Sequence, residues 1–237
     1  MGSGYFKSLS RGLTSLVFTD RCLGCDSQEQ LICRECEVIW NQAARPLLGE
    51  SFKVFSSVPY DHRTARVLLS AKEDGLRVAR ELISSAISRS ILRLVTESEI
   101  DCERILLTPI PSSRAAKVRR GGDFLAQVTK EVLSRLEPSR QVQPGSIAIK
   151  HLLGFTRRTR DQSRLSERQR NINLQGAFRV RRDALSEMGD SAGIIVVDDV
   201  ITTGSTLREA IRALKERNLT VLGAATACAT RLNSLIR

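Results

Sequence analysis

The 237-residue sequence is poor in aromatic side chains, which make up 4% of it, and contains only two histidines. Sequence-tolerant binding of single strands stacks bases on aromatic rings, so that mode of recognition is poorly served here. His62 and His151 have no Cys or acidic neighbour at ligand spacing and read as ordinary surface or core residues. No apolar run is long enough for a transmembrane segment. The opening MGSGYFKSLSRGLTSLVFTD lacks an uninterrupted signal-peptide core, and Phe6 breaks the myristoylation pattern. The expectation is a cytoplasmic protein. Internal repeats, a P-loop lysine motif and the three spaced glycines of a dinucleotide fold are likewise missing.

Hydrophobic residues at 41% and charged residues at 27% are ordinary for a folded chain. The length suits one sizeable α/β domain with a small appendage. Lys and Arg number 37 against 26 acids, a formal charge of +11. That surplus favours polyanionic partners: nucleic acid, an acidic protein or phosphorylated small molecules.

Four of the six cysteines are crowded into CLGCDSQEQLICREC. Cys22 and Cys25, then Cys33 and Cys36, have the two-residue spacing that lets both thiolates of a pair point inward from one tight turn. Two such turns predict a tetrahedral zinc site, structural because a closed sulfur shell leaves no position for substrate. A redox dithiol, a pair of disulfides and an iron-sulfur cluster are the alternatives. Cys102 and Cys228 read as buried, inert hydrophobes.

Leu9, Leu13, Leu16 and Val17 fall at helical spacing, which predicts a short amphipathic helix. A helix stopped by Pro46 and a strand in FKVFSSVPY come next. Helical spacing covers 62–72 and 75–95; ERILLTPIP reads as a buried strand, GDFLAQVTKEVLSRL as a helix and SIAIKHL as a strand. The tail gives strand, helix, strand in GIIVVDD, STLREAIRALKER and LTVLGAATAC. Alternating strands and helices imply a parallel sheet covered on both faces, with ligands beyond the carboxyl ends of its strands.

The segment IIVVDDVITTGST carries the chemistry. Ile194 to Val197 predict a doubly buried strand from whose end Asp198 and Asp199 emerge. VITTG then leads to a helix beginning near Ser205 or Thr206. Gly204 allows close approach, and the hydroxyls of Thr202, Thr203, Ser205 and Thr206 join the free helix-end amides as a phosphate cradle. Two adjacent carboxylates repel phosphate but accept hydrogen bonds from a vicinal diol. One ligand with both groups is a ribose 5-phosphate, so the stretch reads as a phosphoribosyl site.

The segment resembles the phosphoribosyl pyrophosphate motif of type I phosphoribosyltransferases. Together with the amino-terminal cysteine knuckle, PIPSSRAAKVRRGGD, RDQSRLSERQRNINLQGAF and VVDDVITTGSTL, in this order, look like the ComF family of competence-associated, phosphoribosyltransferase-like proteins. The resemblance covers nearly the whole chain. It implies an α/β fold with a parallel sheet flanked by helices over 49–237, and a zinc-binding module with its amphipathic helix over 1–48. It implies that Asp198 and Asp199 hold the ribose hydroxyls, that Thr202 to Thr206 hold the 5-phosphate, and that Ser112, Ser113 and Arg114 form the pyrophosphate loop. The sequence departs from the family pattern at RRGGD and at AKEDG, where an aromatic commonly follows the lysine.

Between 157 and 170, six arginines, among them Arg160, Arg164, Arg168 and Arg170, face only Asp161 and Glu167. This loop could close over departing pyrophosphate, with magnesium bridging its oxygens as the resemblance implies. It could equally grip a nucleic-acid backbone or form a solvated charged helix. Three functional readings follow: binding of phosphoribosyl pyrophosphate with transfer of its sugar; a DNA-uptake accessory contacting single-stranded DNA or a motor partner; and a sensor of a nucleotide-like effector.

Overall fold

The computed structural model describes residues 21–28, 30–47, 50–98, 102–139, 146–156, 175–185 and 191–230. The helical stretch expected at 9–17 and the arginines from 157 to 170 lie outside these residues. A six-stranded sheet has the order β1-β2-β8-β7-β3-β4. Its strands are β1 (Arg45–Pro46), β2 (Val54–Pro59), β3 (Arg104–Pro109), β4 (Ile147–Ile149), β7 (Ala192–Ile201) and β8 (Val221–Ala229). Every neighbouring pair is parallel except β1 with β2. A separate antiparallel pair joins β5 (Leu153–Phe155) and β6 (Phe178–Val180). The fold is the expected one: α/β, mostly parallel and phosphoribosyltransferase-like. The edge strand β1 joins this sheet from within the segment expected to form the cysteine module.

Ile194, Ile195, Val196 and Val197 in β7 are all 0% exposed. Burying each such side chain contributes about 1.5–3 kcal/mol. The strand extends beyond them to Ile201, carrying both aspartates with it, because β8 continues to pair with it: Asp198 lies opposite Thr226 and Ile201 opposite Ala229. The acids therefore lie inside the strand, which runs four residues past Val197, where hydrophobic patterning alone would end it.

Helix α1 (Arg34–Trp40) starts from Cys33 as its N-cap, carries Cys36 in its first turn and buries Trp40 in the main core. Asp61 starts α2 (His62–Lys72) with a reciprocal capping box: its carboxylate accepts from the Arg63 and Thr64 amides at 2.9 Å while its own amide donates to the Thr64 hydroxyl at 2.9 Å. Thr64, Val67, Leu68 and Ala71 form the buried face, which leaves Lys72 to leave the helix beside the sheet. Helix α3 (Arg77–Thr96) is buried along Ala79, Ile83, Ala86, Ile87, Ile91 and Leu94 and packs on β2, β8 and α5 (Phe124–Leu136). Its Ser90 donates to the Thr226 carbonyl at 2.9 Å, so a buried hydroxyl is satisfied against the central sheet. Helix α6 (Ser205–Lys215) packs against β7 and the β5–β6 pair.

From β3 the chain crosses through α4 (Arg114–Arg120) and α5 outward to β4, whereas from β7 it crosses through α6 the other way to β8. Strand order therefore reverses between β3 and β7, and a crevice opens at their carboxyl ends. Ile195→Ala is expected to lower the unfolding free energy by about 2–5 kcal/mol. Val118→Ala, at a position 76% exposed, should change it by less than about 0.5 kcal/mol. Denaturant melts of both variants check this, and equal losses would contradict the core assignment.

Candidate functional site

Two loops flank the reversal point. On the β7 side, residues 202–204 connect the strand to α6, whose N-cap is Gly204 with φ 75° and no side-chain cap on the helix end. Only glycine holds this left-handed conformation without strain, and a Cβ there would lie 2.8 Å from the Arg208 guanidinium and 3.0 Å from the Glu50 carboxylate. Gly204 brings no side chain to the end of α6, the Ser205 amide donates to the Thr203 hydroxyl at 3.4 Å, and the positive helix end favours an anion. The Thr203 and Ser205 hydroxyls hydrogen-bond each other at 2.8 Å. Thr230, just past β8, donates to the Thr202 carbonyl at 3.1 Å. From outside, Arg208 donates to the Thr203 carbonyl and pairs with Glu50 at 2.7 Å. Glu50 and Arg208 hold the loop in shape and have no signature in the local sequence.

On the β3 side, the Ser112 hydroxyl donates to Asp123 at 2.8 Å and the Ser113 hydroxyl caps α4 by accepting from the Ala116 amide at 3.2 Å. Arg114, the first residue of α4, is exposed. Asp123 also pairs with Lys117 at 2.7 Å and caps α5. Burial pushes the Asp123 carboxyl up, but the hydrogen bonds from Lys117 and Ser112 outweigh it and hold it below its ordinary value. The GGD segment, where the sequence departs from the family pattern, is therefore the anchor of the serine loop.

The acid pair sits between the loops. Asp199 is 7% exposed, and Asp198 keeps part of its surface open. Asp198 accepts from the Asp199 amide at 2.9 Å. Burial, then the adjacent charge of Asp199 and the hydrogen bond between the two carboxyls, push Asp198 well above the usual carboxylate range. Lys72 from the end of α2 forms an ion pair with Asp199 Oδ2. Burial alone would draw the Lys72 ammonium down; the charge of Asp199 outweighs it and raises it above its ordinary value, so it is protonated at neutral pH. This cation is 127 positions from its partner in sequence, and the AKEDG stretch was singled out only as a departure in pattern.

The four cysteines Cys22, Cys25, Cys33 and Cys36 meet at the other end of α2, with their sulfurs all within 4.8 Å of one another. Four thiolates about 2.3 Å from one tetrahedral ion have sulfurs about 3.8 Å apart, so the cluster could hold a metal ion. Gly24 lies in the first turn because a Cβ there would fall 2.7 Å from the Cys36 sulfur. Burial pushes the Cys22 thiol up, but amides of Cys33, Cys25 and Gly24 outweigh it and bring it down to about 6, so a thiolate is available there near neutral pH. Asp26, with φ 67°, pairs with Arg21 at 3.0 Å and with Arg66 of α2 at 3.2 Å. The knuckle is thereby tied to the helix that delivers Lys72.

Residues 120–233 match the family described as Phosphoribosyl transferase domain. An orotate phosphoribosyltransferase of Novosphingobium aromaticivorans is 30% identical over 131 residues, which cover 53% of this chain and 58% of that protein. The chain thus spans a little over half the length of this curated relative. Among solved structures, a hypoxanthine phosphoribosyltransferase from Staphylococcus aureus aligns at 11% identity and TM-score 0.34, covering 62% of each chain. An orotate phosphoribosyltransferase from Aeropyrum pernix aligns at 14% identity and TM-score 0.28, covering 83% of this chain and 89% of the other. The domain match spans α5 through β8 and includes the acid pair and the α6 loop.

Elemental analysis of the purified protein is expected to give about one bound metal ion per chain, lost in Cys22→Ser. A metal-free protein with an intact fold would contradict the cluster's role.

Proposed function

We propose that the crevice between β3 and β7 binds phosphoribosyl pyrophosphate. The observation that carries this reading is the meeting of a helix N-terminus that begins at a left-handed glycine and a carboxylate pair at one reversal of strand order. Asp198 and Asp199 accept the ribose hydroxyls; Thr202, Thr203, Gly204, Ser205 and Thr206 cradle the 5-phosphate. Ser112, Ser113 and Arg114 receive the pyrophosphate, and the charges of Arg160, Arg164, Arg168 and Arg170 favour the same anion. Magnesium bound with the ligand would offset negative charge on the departing pyrophosphate. The reaction such a ligand supports is displacement of pyrophosphate from the anomeric carbon by an acceptor nucleophile.

The motif order, the cysteine knuckle and the domain match together favour a ComF-type protein. Its metal is zinc, since four clustered sulfurs with no oxygen or nitrogen donor form a closed structural set. A thiolate site requires reduced cysteines, and a cytoplasmic location goes with this reading.

A second reading, a DNA-uptake accessory, is favoured by one feature away from the crevice. A cavity of about 610 Å³ is lined by Arg179, Arg181, Arg182 and Arg217 with Asp183 as its acid. Arg217 lies two residues beyond α6, at the end opposite the cradle. Charge reversal at Arg179 and Arg182 should abolish salt-sensitive binding of a single-stranded oligonucleotide and leave phosphoribosyl pyrophosphate binding intact. Oligonucleotide binding that is absent from the wild type, or unchanged by the reversal, would remove this reading.

Calorimetric titration of phosphoribosyl pyrophosphate with magnesium tests the first reading. The wild type is expected to bind, and both Asp198→Asn/Asp199→Asn and Gly204→Ala to lose at least about tenfold in affinity, equivalent to about 1.4 kcal/mol. Binding that survives in both variants would place the ligand elsewhere.

A further inference from the structure

Lys72 touches both sides of the crevice. Its ammonium pairs with Asp199 on β7 and lies 5.8 Å from the centroid of the Phe124 ring, in the residue after the Asp123 that anchors Ser112. The next residue, Glu73, pairs with Arg119 at 3.2 Å and Arg120 at 2.8 Å at the far end of α4. The dipeptide Lys72-Glu73 thus ties the acid pair to the helix that follows the serine loop. Lys72 is also largely enclosed, its side chain 22% exposed. A lysine so placed is held there by its partner rather than by solvent.

Building on the phosphoribosyl reading, we propose that Lys72 is a positioning residue of the ligand site, whose charge keeps the two aspartates together as hydrogen-bond acceptors for the ribose diol. A vicinal diol donates two hydrogens and needs two acceptors. Two carboxyls in contact hold a proton above the usual carboxylate range, and a protonated one donates where it should accept. Lys72 works against that rise, so the pair gives up its proton at a lower pH than it would without the cation and the diol meets acceptors. Among the described residues, Arg120 from α4 acts on the Lys72 charge, and Cys228 from β8 feels Asp199, Lys72 and Asp61 ahead of α2. Arg120 is already engaged by Glu73, and Cys228 is buried with its thiol pushed up by that burial. Neither supplies the missing cation when Lys72 is removed.

The sign of the effect follows. Without Lys72 the acid pair retains a proton at neutral pH, and binding recovers as pH rises and that proton is lost. The test is calorimetric titration of magnesium phosphoribosyl pyrophosphate into wild type, Lys72→Met and Lys72→Arg between pH 7.5 and 9.5, with folding followed by circular dichroism. Lys72→Met is expected to bind about 10- to 100-fold more weakly at pH 7.5, a pKa displacement of about one to two units, and to regain most of the loss by pH 9.5. The wild type should change little over that range, and Lys72→Arg should stay within a few-fold of it. If Lys72→Met does not fold, Lys72→Met/Asp199→Asn removes the unpaired buried charge; it should bind weakly with no recovery at high pH. Normal affinity in the single variant, a loss equal at every pH, or recovery at high pH in the double variant would overturn the role of Lys72 alone. Absence of binding by the wild type would overturn the phosphoribosyl reading and this inference with it.

Discussion

Ionising a carboxylate where Asp199 sits, with 7% of its surface exposed, costs several kcal/mol unless a cation is brought to it. The arrangement around β7 answers that cost. Strand pairing with β8 carries the aspartates into the sheet, and α2 is aimed by its Asp61–Thr64 capping box so that its last residue, Lys72, reaches Asp199. Glu73 then engages α4, and Asp123 fixes the serine loop that precedes it. The two loops of the crevice are held in register by the β3–β7 ladder, which runs on to the Ile110 amide donating to the Val197 carbonyl at 2.9 Å, and by the ion pair and the side chains beside it.

The cysteine cluster belongs to the same mechanical unit. Its knuckle packs on α2 through Gly24 and is pinned there by the Asp26–Arg66 pair. One helix therefore has the cysteine cluster near its start and the cation of the acid pair at its end. A metal ion held by the cluster would brace the seat of α2 and, through it, the crevice. The burial of Trp40 and the link from Arg89 to the Trp40 and Gln42 carbonyls join the segment after the knuckle to α3 as well.

Much of this was legible in the sequence because it is written in local pattern. Four β-branched residues followed by two acids and a Thr-Gly-Ser run specify strand, turn and helix within thirteen positions, and paired two-residue cysteine spacings specify the knuckles. Lys72 was not legible, because a single lysine closing an amphipathic helix has no local mark that separates it from a solvated one; its partner is supplied by the fold. The same holds for Glu50 with Arg208. Strand β7 outran its hydrophobic stretch because β8 pairs with its backbone whatever side chains it carries. The β5–β6 pair joins three-residue strands separated by 22 positions, too short for an alternating pattern and too far apart for a turn signal. Helix α4, over RAAKVRR, is set by the Ser113 cap and the Glu73 pairs rather than by an apolar face, so no apolar periodicity marks it.

The central claim is that one ligand bridges the loops after β3 and β7. Backbone amide chemical shifts of isotope-labelled protein, recorded during titration with magnesium phosphoribosyl pyrophosphate, test it most directly. The account predicts that residues 110–114 and 198–206 shift together with one common saturation curve, while Arg179, Arg182 and Arg217 stay unchanged. Shifts confined to the arginine-lined cavity, or limited to one of the two loops, would contradict it.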